Sequence, residues 1–359
     1  MTSTLTTPPV APTGVRQQVA TLRQDVIGAL FGLALIGGLF ADAWAHTNIL
    51  NTIESFFTPW HALLYGGFAG TAAWTWWLAF RHRKDDPRWW RNKWPAGYAL
   101  GALGSLIFLV AGAADMFWHS IFGVETSLKI TLSPSHILLS IGGVLLLTSQ
   151  MRSWWASGEG GWRSVTGVAS AAFGTTFGLL LVTGLTGLVT TAATREFVPV
   201  PGGGSSTTPA AQGIQAYLLG AAVLLIPVLL VHRRRGTPGA ITGIAGAVAL
   251  FAMLQREFPM PLTAALIGVI VGAAVADVIL WRLDVARGPQ APLRLPIAGA
   301  IFAASIWTGH LTGLALGDAV RWPPELWAGT VVMSALLGAL LGTLAAGAGK
   351  PAQQTVATQ

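Results

Sequence analysis

The chain contains no cysteine among its 359 residues. That excludes disulfides, thiolate metal sites, iron–sulfur clusters and cysteine nucleophiles, and leaves the redox compartment open. Charge is scarce as well: Asp, Glu, Lys and Arg make up 10% of the chain, whereas soluble proteins carry about 25%. Phosphate-binding glycine loops, dinucleotide fingerprints and a Ser-His-Asp signature are missing. A nucleotide-driven pump and a soluble-type hydrolase are therefore not expected. The first residues, "MTSTLTTPPVAPTGVRQQVATLRQD", are polar and rich in Thr and Pro. They lack the basic-then-apolar order of a secretory signal, so residues 1–24 are expected to form a disordered cytoplasmic tail.

What is present is apolar. Hydrophobic residues reach 53% and mean hydropathy is +0.60. Long uncharged runs predict spans at 26–46, 59–80, 95–118, 133–151, 165–190, 212–231, 239–255, 261–281, 295–316 and 325–347. Each is near the ~20 residues that cross ~30 Å of hydrocarbon. The expected fold is all-α: a polytopic helical membrane protein with about ten transmembrane helices. Small residues at four-residue spacing, as in Gly28 and Gly32 or Gly338 and Gly342, suit close helix approach.

Basic residues set the expected orientation. Of the 21 Lys and Arg, only Lys129, Arg195, Arg256 and Arg321 fall on one side of this topology. The rest, including "RHRKDDPRWWRNK" at 81–93 and "HRRR" at 232–235, share the other side. The positive-inside rule then places both termini in the cytoplasm of a multi-pass cell-membrane protein. The net charge of +7 is therefore a topology signal aided by anionic lipid, and no nucleic-acid partner is expected. The 16 Trp cluster near span ends as an aromatic belt would. His82 and His232, each beside basic residues, are expected to be solvated loop histidines.

A tandem helical hairpin is legible in spans 1–4. Asp42, His46, Glu54 and Thr58-Pro59-Trp60-His61 recur about 73 residues later as Asp115, His119, Glu125 and Ser133-Pro134-Ser135-His136. This divides the chain into metal-site hairpins at 25–151, a helical bundle at 152–349 and a cytoplasmic tail at 350–359. Asp115 and His119 are four residues apart and share a helix face. Pro134 suits a first helical turn, so His136 opens the returning span at a similar depth. Two imidazoles and a carboxylate with open positions suit a transition metal; imidazole favours copper, with zinc and iron as alternatives. Asp42, His46 and His61 offer the same set. Glu54, Glu125 and His310 are candidates for extra ligands or for groups that orient one. Ionisable groups near hydrocarbon are costly unless they are useful. Arg195–Glu196 and Arg256–Glu257 are expected to be outer-face salt bridges, and Asp277 is given no role.

The stretch "DMFWH" followed by "SPSHI" resembles the copper-binding membrane segment of the particulate methane monooxygenase and ammonia monooxygenase family. Asp115, Trp118, His119, Pro134, Ser135, His136 and Ile137 match that motif by type, and Ser133 stands for Thr. The resemblance implies copper held by Asp115, His119 and His136 within the membrane, near a site that oxidises a small substrate. Here the gap between the histidines is longer and the motif occurs twice. Three functions are weighed: one subunit of a copper-dependent membrane oxygenase, a copper transport or handling protein, and a non-metal transporter with proton-sensing histidines. The first lacks an electron-entry motif; the second lacks a Met or His ladder leading inward. Expected partners are the lipid bilayer, the metal ion, and other membrane subunits or further copies of the chain.

Overall fold

The helices fall on the chain's apolar runs, with the 133–151 run broken at Thr148 and the 165–190 run helical through Thr183. The computed structural model describes residues 18–49, 58–123, 133–183, 188–194, 199–200, 204–205, 208–234, 237–288, 291 and 293–347. Its helices are α1 (Leu22–Asn48), α2 (Pro59–Phe80), α3 (Trp89–Asn92), α4 (Ala99–Phe122), α5 (Pro134–Leu147), α6 (Ser149–Ser157), α7 (Trp162–Thr183), α8 (Thr208–Arg234), α9 (Ala240–Gln255), α10 (Leu262–Arg287), α11 (Arg294–Leu316) and α12 (Pro324–Gly347). Among the described residues, a two-residue strand pair, Pro199–Val200 with Gly204–Ser205, is the exception to helix. Seven stretches are long and apolar enough to cross a membrane: α1, α4, α5 with α6, α8, α10, α11 and α12. The protein is a helical membrane protein. Helices α2 and α7 have the length, but their Trp, Thr, Ser and Gly lower the hydropathy. Helix α9 has 16 residues.

Helix α12 shows how the lipid-facing shell is built. Thr330, Ser334, Gly338 and Gly342 recur every four residues and are buried. Val332, Leu336, Leu340 and Leu344 follow the same spacing and are exposed. Small residues thus face protein and large apolar ones face outward, the reverse of a soluble helix. The small stripe lets backbones touch. A Cβ on Gly338 would run into the carbonyl of Gly299 on α11, and one on Gly309 into the carbonyl of Gly268 on α10. Within the first hairpin, Gly67 of α2 would meet the Leu35 backbone of α1 at 2.6 Å. Within the second, Gly104 of α4 would meet the Gly142 carbonyl of α5 at 2.6 Å. Between these hairpins contact is made by rings instead: Phe68 stacks on Phe108 at 4.4 Å, and Phe108 leans on Phe177 of α7 at 5.9 Å.

Helix starts and breaks have local causes. Thr21 caps α1 in a reciprocal box with Gln24, and the Ala96 amide donates to the Gln18 carbonyl. Residues 18–24, expected to belong to a disordered tail, are held in place by these contacts. Buried Asp25 accepts hydrogen bonds from Tyr98 Oη (2.7 Å), Ser153 Oγ (3.0 Å) and Arg163 Nη1 (3.0 Å). That network ties α1, the start of α4, α6 and α7 together at one end of the bundle. The α5–α6 break at Thr148 is sealed by Arg152, which donates to Leu145 O and Thr148 Oγ at 2.6 Å each and to Gly97 O at 2.9 Å. Trp74 and Trp77 stack at 5.0 Å, with Arg81 over the Trp77 ring and Arg83 over Phe80. This basic end has the composition of a membrane interface.

Candidate metal centre

At the opposite end, α4 and α5 bring three donors together. The Ser-Pro-Ser-His stretch does most of the local work. Ser133 is the extended N-cap of α5 and Pro134 occupies its first turn. The Ser133 hydroxyl lies 2.6 Å from His136 Nδ1. Ser135 Oγ donates to Asp115 Oδ1 at 2.8 Å, across the hairpin. One short motif thus starts the helix, places one imidazole and orients the carboxylate of the preceding helix.

Asp115 and His119 are on the same face of α4, with Oδ2 and Nε2 3.4 Å apart. His136 Nδ1 is 3.5 Å from Asp115 Oδ1. The two imidazoles meet edge to face with centroids 6.0 Å apart. One ligand atom from each of the three residues lies within 4.8 Å of the others. Gly123 ends α4 at φ +76°, and His119 Nδ1 lies 3.2 Å from its carbonyl oxygen. A carbonyl only accepts, so Nδ1 carries the proton of this contact. That turns Nε2 toward Asp115.

Asp115 is 4% exposed. Among the described residues no Lys or Arg pairs with it, and its ionic neighbours are the two imidazoles. A buried carboxylate needs a compensating charge. Two nitrogens and a carboxylate around a common point are groups that could hold a cation. The donor set fits a transition metal and leaves coordination positions open.

The first hairpin repeats the cross-helix pairing. Thr58 caps α2 by accepting from the His61 amide at 3.1 Å, and His61 Nε2 lies 3.2 Å from Asp42 Oδ1. Trp60 occupies the place of Ser135. His46 is in α1, but its side chain lies outside the described residues, as do Glu54, Glu125, Arg195 and Glu196 entirely.

His310 is elsewhere. It is fully buried, with Nδ1 3.0 Å from Tyr217 Oη and Nε2 3.0 Å from the Leu188 carbonyl. Both ring nitrogens are committed, within an aromatic box of Tyr217, Trp307 and Trp322. His310 therefore pins α8 and α11 rather than joining the triad. His232 is also not a solvated loop residue: it ends α8 at 6% exposure, 3.7 Å from Asp284. Glu257 accepts from Trp44 Nε1 at 3.1 Å, where the sequence suggested an Arg256 partner. Asp277 caps α9 by accepting from the Ile241 and Thr242 amides. Sequence reading missed Tyr65, which lies one turn after His61 and against α4. Its only sequence signal is that four-residue spacing.

No protein-family model matches the chain, and comparison with curated proteins and with solved structures finds no match.

Proposed function

We propose that this membrane protein holds a transition-metal ion, copper, at Asp115, His119 and His136. The observation that supports the reading most directly is the convergence of three donor atoms within 4.8 Å around a buried carboxylate. Bound copper would supply a redox-active Lewis acid facing open coordination positions. The chain's own residues do the positioning: Gly123 O and Ser133 orient the imidazoles, and Ser135 orients the carboxylate. On this reading ten spans run with both termini in the cytoplasm, and the site opens at the outer face. The likeness to the membrane monooxygenase family supports oxidation of a small substrate. The second Asp–His pairing at the same end favours copper handling as the other reading.

The test is bound copper per folded protein, with EPR, on purified wild type and variants. His119→Ala and His136→Ala are expected to lose the ion. Asp115→Asn, which keeps shape and one acceptor oxygen, is expected to weaken it less, since neutral imidazole is the stronger copper ligand. Full copper retention in His136→Ala together with its loss in Glu125→Gln would overturn the assignment.

A further inference from the structure

Helix α9 ends in a turn whose backbone bonds call for glycine. The Phe258 amide donates to the Met253 carbonyl at 3.1 Å and the Glu257 amide to the Leu254 carbonyl at 3.3 Å. In this nested pattern the residue after the cap is left-handed, and glycine is its usual occupant. Here Glu257 has φ +57° and Phe258 φ +56°. A side chain strains the backbone in that region, and two such residues follow each other.

A third cost lies at the base of the turn. Gln255 is 4% exposed, and its Oε1 has no hydrogen-bond partner among the described residues. A buried acceptor left unpaired loses hydration without compensation. One helical turn earlier, Phe251 meets Phe40 of α1 edge to face with centroids 5.8 Å apart, so this end of α9 packs on α1. A side-chain bond opposes these costs. Glu257 Oε1 accepts from Trp44 Nε1 of α1 at 3.1 Å, in an exposed position. Glycine at position 257 would remove the strain and this bond together.

We propose that Arg256–Phe258 is a strap over the histidine end of the α1–α9 seam, exchanging between closed and open states, with the Trp44–Glu257 bond as its latch. On opening, Glu257 and Phe258 return to ordinary backbone angles and Gln255 Oε1 gains water. What is given up is the latch and the two amide bonds of the turn. These terms oppose one another within a few residues, so a small perturbation moves the population. Glutamate stands at a glycine position because its carboxylate holds α1. The strap is independent of the copper reading, and no outcome below bears on the Asp115 site.

The test is hydrogen–deuterium exchange on the full-length protein in detergent, read by mass spectrometry. The Glu257 and Phe258 amides are protected while the turn is closed, so their exchange reports the open population. Trp44→Phe and Glu257→Ala break the latch. Each should speed exchange in 255–258 by up to about tenfold, the equivalent of one net hydrogen bond. Glu257→Gln keeps an acceptor oxygen and should exchange as wild type does. Phe258→Asn brings in a residue that tolerates the left-handed region and should slow exchange. A second readout uses the cysteine-free background. Spin labels at Met260→Cys and Leu63→Cys, both exposed positions, should show a longer distance component in Trp44→Phe than in the otherwise wild-type chain. Unchanged exchange and unchanged distances in the latch variants would overturn the strap. Faster exchange in α12 as well as in 255–258 would also overturn it, because the bond would then support the whole fold rather than one turn.

Discussion

Single residues decide the geometry of the centre, and some of them are not ligands. Gly123 adopts φ +76° and ψ 179°, a conformation open essentially to glycine alone. Its carbonyl also anchors His119. Gly123→Ala should therefore cost on the order of 1–3 kcal/mol and turn the imidazole away. A metal-competition titration should show affinity reduced by about 10–100-fold, as for other groups that orient a ligand. Unchanged affinity would mean that the carbonyl contact does not position His119. The triad was legible because the spacing of Asp115 and His119 and the Pro before His136 encode local geometry. Tyr65 and Asp25 were not legible. Their neighbours, Gly112 for one and Tyr98, Ser153 and Arg163 for the other, are brought near only by packing between helices.

Helices were the most legible level, because an uncharged run of spanning length has few alternatives in lipid. The span boundaries at 59–80, 239–255, 295–316 and 325–347 coincide with helix ends within a residue. The break at Thr148 was not readable, because Arg152 repairs it with its own side chain. Nor was the burial of His232, which depends on α10 and α11 closing over the end of α8. Helix pairing by glycine is testable apart from the metal. In Gly309→Leu the new side chain would strike the Gly268 carbonyl and force α10 and α11 apart. Overpacking of this kind costs typically about 1–3 kcal/mol, so the melting temperature in detergent should fall by several degrees. Copper content per folded chain should hold, since the triad is carried by α4 and α5. Loss of copper in the folded fraction would show that the two halves are coupled.

At the scale of the whole molecule, the proposed topology sets the histidine end and the basic end on opposite sides of the membrane. The Trp44–Glu257 bond and the packing of Gly317 on Pro261 place the α9–α10 and α11–α12 turns at the histidine end. The lack of cysteine makes the chain a clean background for single reporters. Asp318→Cys, at a fully exposed side chain in the α11–α12 turn, should react with an impermeant maleimide on intact cells. Arg88→Cys, in the basic loop, should react only after permeabilisation. The opposite pattern would put the metal centre on the cytoplasmic side.

The two kinds of helix contact also differ mechanically. Inside each hairpin, backbone rests on backbone, as at Gly67 with Leu35 and Gly104 with Gly142. Such a pair has no side-chain cushion to compress. Between the hairpins the contact is a seam of side chains, made by the Phe68–Phe108 stack, Tyr65 and the Trp76–Ser105 hydrogen bond at 2.9 Å. A size change at that seam can be absorbed by a rotamer shift, whereas any side chain added at Gly67 or Gly104 must displace a helix backbone.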